Sequence, residues 1–155
     1  IQKMITDEKS RDHSDLAHRF ELFTTAAIPS AEVKQKSWET FGPQSSMSIH
    51  DQIAAMSGFH DLDRPELTSK FTNVFFENAI AFAKSEPIHF ASVYFETLFP
   101  PYCEQQVLDQ SQHYFQKATE NLPPVIDRAW RESNDEIARC IAIRALNEAK
   151  PKFAP

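Results

Sequence analysis

The sequence predicts an all-α fold in which antiparallel helical hairpins stack as a short α-solenoid of the HEAT or armadillo kind, with about seven helices. Three observations predict it. Apolar residues recur at the helical period along most of the chain, and prolines separate the periodic segments. Only two glycines occur in 155 residues. Tight β-hairpins depend on glycine, and no segment alternates as a strand would.

Prolines and glycines set the predicted boundaries. Pro29 ends the first helix, and Ser30 is placed to cap the second. Gly58 is expected at the exit of the third helix, and Pro65 at the start of the fourth. The seven predicted helices cover residues 6–27, 31–41, 46–57, 65–82, 87–98, 107–115 and 124–150.

The apolar positions on these helices predict the core. In the first helix, Leu16, Phe20 and Phe23 form a stripe at i, i+4 and i+7. Phenylalanine is unusually frequent in the middle third, where aromatic burial is expected. The residues expected to face inward are Val33, Ser37, Trp38, Phe41, Ile49, Ile53, Met56, Leu67, Phe71, Val74, Phe75, Phe82, Phe90, either Tyr94 or Phe95, Leu98, Val107, Leu108, Ser111, Tyr114, Phe115, Ile126, Trp130, Ile137 and Ile141.

Length and composition predict one helical domain over residues 1–155, with 151–155 as a disordered tail. The start at Ile1 rather than Met favours an excised fragment or a processed chain. A formal net charge of −6 disfavours nucleic-acid and anionic-membrane partners. Cys103 and Cys140 are interpreted as free, buried thiols in a reducing compartment, with one disulfide left open as the alternative. With no visible signal peptide, this predicts a cytoplasmic location.

The scarcity of glycine also excludes kinds of site. P-loops, dinucleotide-binding loops and nucleophile elbows all need glycine where the backbone turns sharply or approaches a ligand. Gly42 and Gly58 both lie at predicted helix ends. Any chemistry would therefore have to come from side chains carried on helices.

Histidine-aspartate dipeptides occur twice, at His50-Asp51 and at His60-Asp61. Metal-dependent phosphohydrolases of the HD type use such a pair together with a further histidine and aspartate. Here the first pair falls at a helix start and the second in a polar link. Helix capping is the favoured interpretation, and a metal-dependent phosphohydrolase is the last-ranked function.

Glu86 and His89 have the Glu-x-x-His spacing of a di-iron carboxylate site. Such a site needs a second copy of the motif, and the nearest substitute is Asp15 with His18. Pro87 also interrupts the first copy. Capping plus a surface histidine is the favoured interpretation.

A zinc protease would need His-Glu-x-x-His on one helix. His13 and His18 are five residues apart with no glutamate between them. That motif is absent from this sequence.

The last predicted helix carries four arginines, namely Arg128, Arg131, Arg139 and Arg144. Asp127 with Arg131 and Asp135 with Arg139 have the favoured i, i+4 order for ion pairs. A solvated face with paired charges is the favoured interpretation. The alternative is that some of these arginines line a cavity and bind a carboxylate-bearing ligand.

Several landmarks occur in a characteristic order. They are Pro29-Ser30-Ala31-Glu32-Val33-Lys34, Trp38-Glu39, Ile53-Ala54-Ala55-Met56-Ser57-Gly58-Phe59, the aromatic Phe71/Phe75/Phe76 helix, Phe95-Glu96-Thr97-Leu98-Phe99-Pro100, Leu122-Pro123-Pro124, and Asp127-Arg128 with Asp135-Glu136-Ile137-Ala138-Arg139. Over roughly residues 10–150 this order resembles the C-terminal end of bacterial aminopeptidase N enzymes, the gluzincin-type zinc aminopeptidases, especially their actinobacterial forms. The order and spacing of the landmarks carry the resemblance.

The resemblance implies a non-catalytic, HEAT-like or armadillo-like C-terminal domain that bounds the substrate chamber and limits access to the active site. Its partners would be the catalytic domain of the same polypeptide and the peptide substrates, with zinc held by the parent enzyme. The zinc motif and the Gly-x-Met-Glu-Asn segment belong to earlier domains of that family. Glu77-Asn78 echoes the latter without its glycine. No catalytic, metal or cofactor residue is therefore assigned here, and the alternative function is a free-standing helical-repeat module that binds a protein or peptide.

Overall fold

The computed structural model describes residues 2–118 and 122–148, and these ranges contain helices and loops but no strand. The all-α prediction is confirmed. The eight α-helices are α1 (Gln2–Lys9), α2 (Asp15–Ala27), α3 (Ala31–Glu39), α4 (Ile49–Ser57), α5 (Thr72–Ser85), α6 (Ile88–Leu98), α7 (Gln105–Ala118) and α8 (Pro124–Glu148). The tail predicted over 151–155 and the end predicted at Lys150 lie outside the described residues.

The first predicted helix is in fact two helices. The Asp12 carboxylate accepts a hydrogen bond from the Ser14 backbone N–H at 2.8 Å, and the Ser14 hydroxyl accepts one from Ala17 N–H at 3.2 Å. Side chains that bind nearby backbone N–H groups compete with the helical ladder. Ser14 therefore caps a new helix, and the uninterrupted helix over 6–27 is a wrong prediction.

The fourth predicted helix begins less regularly than its apolar pattern suggests. Two short 3₁₀ turns, Pro65–Leu67 and Ser69–Phe71, precede α5. Thr68 N–H donates to the Pro65 carbonyl and Phe71 N–H to the Thr68 carbonyl, both at spacing i to i−3. Pro65 does occupy the first position of its helical turn, as expected.

Alternate helices along the chain are neighbours in the fold. The even-numbered helices contact one another in sequence, α2 with α4, α4 with α6, and α6 with α8. The pairs α1–α2, α5–α6 and α7–α8 join neighbours along the chain, and α5 also contacts α7. The helices α2, α4, α6 and α8 thus form a row, which we call the even-helix row.

Aromatic side chains fill the centre of the fold. Trp130 of α8 stacks on Phe76 of α5 with ring centroids 5.6 Å apart, and Phe75 stacks on Tyr94 of α6 at 5.8 Å. The Trp130 indole N–H donates to the buried Ser111 hydroxyl at 2.8 Å. Twelve buried residues form this main cluster, and most were expected to face inward: Met56, Phe59, Phe71, Phe75, Phe76, Ala79, Ala91, Tyr94, Phe95, Leu98, Ile126 and Trp130.

Two predictions of burial are wrong. Val74 is 41% exposed, because the buried face of α5 runs through Phe75, Phe76 and Ala79 and excludes it. The stripe on α2 is also exposed, with Leu16 at 62% and Phe20 at 60%. Leu16 and Phe20 line a groove between α1 and α2.

The crossing of α2 and α4 depends on two residues that contribute no apolar side chain to it. Gly58 ends α4, and a Cβ atom there would overlap the Phe23 carbonyl oxygen of α2. The fully buried Lys34 ammonium donates to the carbonyls of Ala26 at 2.6 Å and Gly58 at 3.2 Å. Burial lowers the pKa of Lys34. Lys34 therefore links the C-terminal ends of α2 and α4, where exposed carbonyls favour a cation.

The interpretation of the cysteines as free, buried thiols is wrong, and the structure has the disulfide that the sequence left open as the alternative. Cys103, in the link between α6 and α7, forms a disulfide with Cys140 of α8, and their Cα atoms are 5.6 Å apart. Both residues are partly exposed rather than buried. The pairing attaches the link to α8, and Arg144 of α8 also donates to the Cys103 carbonyl at 3.2 Å. Two cysteines allow only one pairing, but local sequence pattern does not show whether residues 37 positions apart come into contact.

We expect reduction of this disulfide to lower the free energy of unfolding by about 4 kcal/mol, because closing a loop of this length restricts the unfolded chain. Urea unfolding with and without reductant measures the loss. The double variant Cys103→Ser/Cys140→Ser is the control, and its stability should not respond to reductant. A wild-type chain that is equally stable in both conditions would contradict the prediction.

Candidate functional site

The imidazole of His60 is held by hydrogen bonds at both of its ring nitrogens. Its Nε2–H donates to the Leu98 carbonyl at 2.9 Å, so its Nδ1 accepts from the Tyr102 hydroxyl at 3.0 Å. The Tyr102 hydroxyl is also hydrogen-bonded to Thr68. Burial lowers the pKa of His60 to about 4. Both ring nitrogens are thus engaged by protein atoms, and a neutral imidazole joins the α4 exit to the end of α6.

The two aspartates of the His-Asp pairs accept local hydrogen bonds. Asp61 accepts from the backbone N–H of Arg64 at 3.1 Å and pairs with the Arg64 guanidinium. Asp51 accepts from the hydroxyl of Ser48, the N-cap of α4, at 2.7 Å. His50 is exposed. The capping interpretation thus holds for Asp51, which binds the N-cap of α4, and Asp61 instead stabilises a turn.

The remaining metal candidates do not come together. Glu86 accepts from Ser85, whereas His89 is exposed on α6. His18 lies 3.8 Å from Glu21 on the same helix. Across residues 2–118 and 122–148, no three His, Cys, Asp or Glu side chains are grouped so that they could hold a metal ion.

The arginines of α8 lie on its exposed surface. Arg131 pairs with Asp127 at 2.9 Å and also covers the Phe115 ring, 4.8 Å from its centroid. Arg128 pairs with Glu132 at 2.7 Å. Arg139 donates to the Asp135 backbone carbonyl rather than pairing with its carboxylate. These contacts agree with the favoured interpretation of a solvated face with paired charges. They do not support the alternative that the arginines line a cavity.

The one candidate binding site that we identify in the described residues is a groove between α1 and α2, with a volume of about 720 Å³. We call it the N-terminal groove. Its apolar lining comes from both helices: Met4, Ile5, Leu16, Ala17 and Phe20. Met4 is 73% exposed, so the two helices do not cover this lining themselves.

The rim of the N-terminal groove is acidic. Four carboxylates line it, from Glu8, Asp12, Asp15 and Glu21. None of the side chains described there is a lysine or arginine. Hydrogen bonds from Ser14 hold the pKa of Asp12 below its usual value. The groove therefore combines an apolar floor with negative charge at neutral pH.

Sequence reasoning found the stripe on α2 but not the groove. The spacing of Leu16 and Phe20 indicates an apolar face, and such a face usually points into a core. The sequence does contain a signal for the break between α1 and α2. Asp12 and Ser14 precede a periodic segment, and such residues are typical of a helix start. With that break, α1 and α2 become two helices with a groove between them.

Neither a protein-family model nor a curated protein sequence matches this chain. In the part of the chain that the structure describes, every helix is too short or too polar to cross a lipid bilayer.

Proposed function

We propose that this chain is the non-catalytic C-terminal helical domain of a zinc aminopeptidase of the aminopeptidase N kind. The single observation that carries the proposal is the order and spacing of the landmarks over roughly residues 10–150. In the intact enzyme the domain bounds the substrate chamber and limits which peptides reach the zinc. Closing such a chamber excludes water and positions the substrate.

The positions of the landmarks in the fold support this proposal. Pro29-Ser30 precedes α3, Gly58 ends α4, and Pro123-Pro124 opens α8. Phe99-Pro100 follows the last residue of α6. Several of the residues that carry the resemblance thus stand where helices begin and end, and others, such as Phe75 and Phe76, belong to the aromatic core.

The proposal includes a HEAT-like or armadillo-like stack. The even-helix row supports it, because solenoids place corresponding helices of successive repeats side by side. The pairs α5–α6 and α7–α8 fit helical hairpins that each supply one member of the row. The contact between α5 and α7 fits a second row on the other side.

The cytoplasmic location was predicted from free thiols, and the structure pairs the two cysteines instead. The disulfide between Cys103 and Cys140 favours an oxidising compartment, because cytosolic thiols are kept reduced. Alkylation of the protein in its native cells, followed by mass spectrometry, would show which state occurs.

The test of the proposal has two parts. The coding sequence upstream of Ile1 should continue into a segment with His-Glu-x-x-His, and the whole polypeptide should hydrolyse an aminoacyl-anilide. The isolated chain should bind no stoichiometric zinc and should not hydrolyse that substrate. A reading frame that begins near Ile1, or zinc-dependent hydrolysis by the isolated chain, would refute the proposal.

The N-terminal groove favours a second candidate, a free-standing helical-repeat module that binds a protein or peptide. Its apolar floor is open, and such grooves between helices are common peptide-binding surfaces. The same reading frame separates the two candidates, because only the first requires an upstream zinc-binding segment.

A further inference from the structure

The disulfide between Cys103 and Cys140 lies where the packed part of α8 gives way to an exposed part. Ile137 is 6% exposed and Ile141 is partly buried, and these two residues flank Cys140 on the same helix. The residues that follow, 142–148, are all exposed, and we call them the α8 end. The disulfide therefore stands at the boundary between the packed part of α8 and the α8 end.

The link between α6 and α7 is attached on its other side by Tyr102. This side chain is 4% exposed, and its hydroxyl is hydrogen-bonded to Nδ1 of His60 at 3.0 Å and to Thr68. Its ring also belongs to a small cluster of four buried residues. The link therefore has a non-covalent attachment to the α4 exit that does not require the disulfide.

The attachment of the α8 end to the link depends mainly on the disulfide. The Arg144 guanidinium also donates to the Cys103 carbonyl at 3.2 Å, but this hydrogen bond is exposed. Such a bond competes with water and contributes little net stability. A short helical segment with exposed side chains is marginal in water and frays unless it is held. We therefore expect the α8 end to lose order when the covalent restraint is removed.

The disulfide can be reduced without unfolding the centre of the protein. Both cysteines are partly exposed, so a thiol in solution has access to them. Exposed disulfides are in general the ones that are reduced in native proteins, whereas structural ones resist reduction. The main aromatic cluster has twelve buried residues, and neither Cys103 nor Cys140 belongs to it. Local opening at the α8 end is therefore separable from global unfolding.

We propose that the disulfide between Cys103 and Cys140 is a redox-sensitive switch that controls the α8 end. In the oxidised chain it holds the α8 end against the link. A dithiol reduces it in two steps: one thiolate attacks a cysteine sulfur and releases the other cysteine, and the second thiolate then displaces the attacked cysteine. The dithiol becomes a disulfide, and its two protons pass to the cysteine thiolates. The link stays attached through Tyr102, and the α8 end separates from it. The inference does not depend on the aminopeptidase proposal, and either can fail without the other.

Hydrogen–deuterium exchange of the full 155-residue chain, with and without dithiothreitol and without denaturant, tests the inference. We expect dithiothreitol to reduce the disulfide, as verified by alkylation and intact mass. Labelling for less than about one minute reports local opening rather than global unfolding. In the reduced chain the amides of residues 142–148 should exchange at least about thirtyfold faster. The amides of α4 and α5, which contribute to the main aromatic cluster, should change by less than about threefold.

Two variants separate the effect of the disulfide from that of its neighbours. In Cys103→Ser/Cys140→Ser the α8 end should exchange as it does in the reduced wild type, and dithiothreitol should not change it. Arg144→Gln keeps the disulfide but removes the guanidinium that donates to the Cys103 carbonyl. Its α8 end should exchange within about fivefold of the oxidised wild type, because that hydrogen bond is exposed.

Four results would overturn the inference. The first is a disulfide that dithiothreitol reduces only after urea has unfolded the chain, since it would then be a structural cross-link. The second is unchanged exchange of residues 142–148 after reduction. The third is an equal increase in α4, α5 and the α8 end, because reduction would then loosen the whole fold. The fourth is an α8 end that opens as fully in Arg144→Gln as in the reduced wild type.

Discussion

Gly58→Ala should lower the free energy of unfolding by about 3 kcal/mol, the upper range for overpacking a tight contact. A Cβ atom at residue 58 would overlap the Phe23 carbonyl oxygen and lie 3.3 Å from the Ala27 nitrogen. Both atoms belong to the α2 backbone, so neither can turn away as a side chain would. The helices must separate, and separation also lengthens the hydrogen bonds from Lys34 to Ala26 and Gly58.

The measurement is urea unfolding of Gly58→Ala beside Ser57→Ala. Ser57 precedes Gly58 on α4, is exposed, and donates only to the Ile53 carbonyl of its own helix. Its replacement should change stability by less than about 0.5 kcal/mol. Equal stability of the two variants would show that α2 and α4 do not approach so closely.

The second large effect is a loss of stability in mild acid. Burial disfavours the charged imidazole and lowers the pKa of His60 in the folded chain to about 4, from 6.5 for an ordinary histidine. Between these values the unfolded chain binds more protons, so acid favours unfolding. His60 therefore contributes stability that is complete above about pH 6.5 and is lost as the pH falls toward 4. Integration predicts a loss of about 2 kcal/mol from about pH 7.5 to about pH 5.

His60→Gln separates this effect from the titration of other groups. A glutamine amide can still donate to the Leu98 carbonyl, which accepts from His60 at 2.9 Å, but it cannot take up a proton. The variant is expected to be less stable at neutral pH, because the glutamine side chain does not reproduce the hydrogen bond between the Tyr102 hydroxyl and Nδ1 of His60. Its stability should nevertheless change about 2 kcal/mol less over the same pH interval. An identical pH slope in the two proteins would contradict the assignment.

The helices and most of the core were predictable because they depend on local pattern. Pro123-Pro124 opens α8, and Trp130 and Ile137 follow at the helical period and are buried. The break at Ser14 was missed because its capping hydrogen bond competes with an apolar period that continues through it. Val74 was misplaced because a periodic pattern defines the width of a buried face only approximately.

The candidate site was less predictable. The two His-Asp pairs were interpreted from sequence as chance or capping. Asp51 does hydrogen-bond to Ser48, the N-cap of α4, whereas Asp61 accepts from two backbone N–H groups of its own polar link. The role of His60 was not predictable, because Tyr102 and Leu98 are about 40 positions away along the chain. The N-terminal groove was not predictable for a similar reason. Its apolar lining has the spacing of a stripe that faces a core, and only the packing of the helices shows that the lining is exposed.

The sequence by itself determined the fold class, since helical periodicity, prolines at helix boundaries and two glycines are local properties of the chain. It also placed Gly58 at a helix end, where a residue without a Cβ is often found. Only the tertiary structure decided that Gly58 is required by the α2 backbone, that Cys103 meets Cys140, and that Leu16 and Phe20 stay exposed. The physical reason is the same in each case. Contact between residues distant in sequence depends on how helices pack, and no local pattern encodes the distance between two helices.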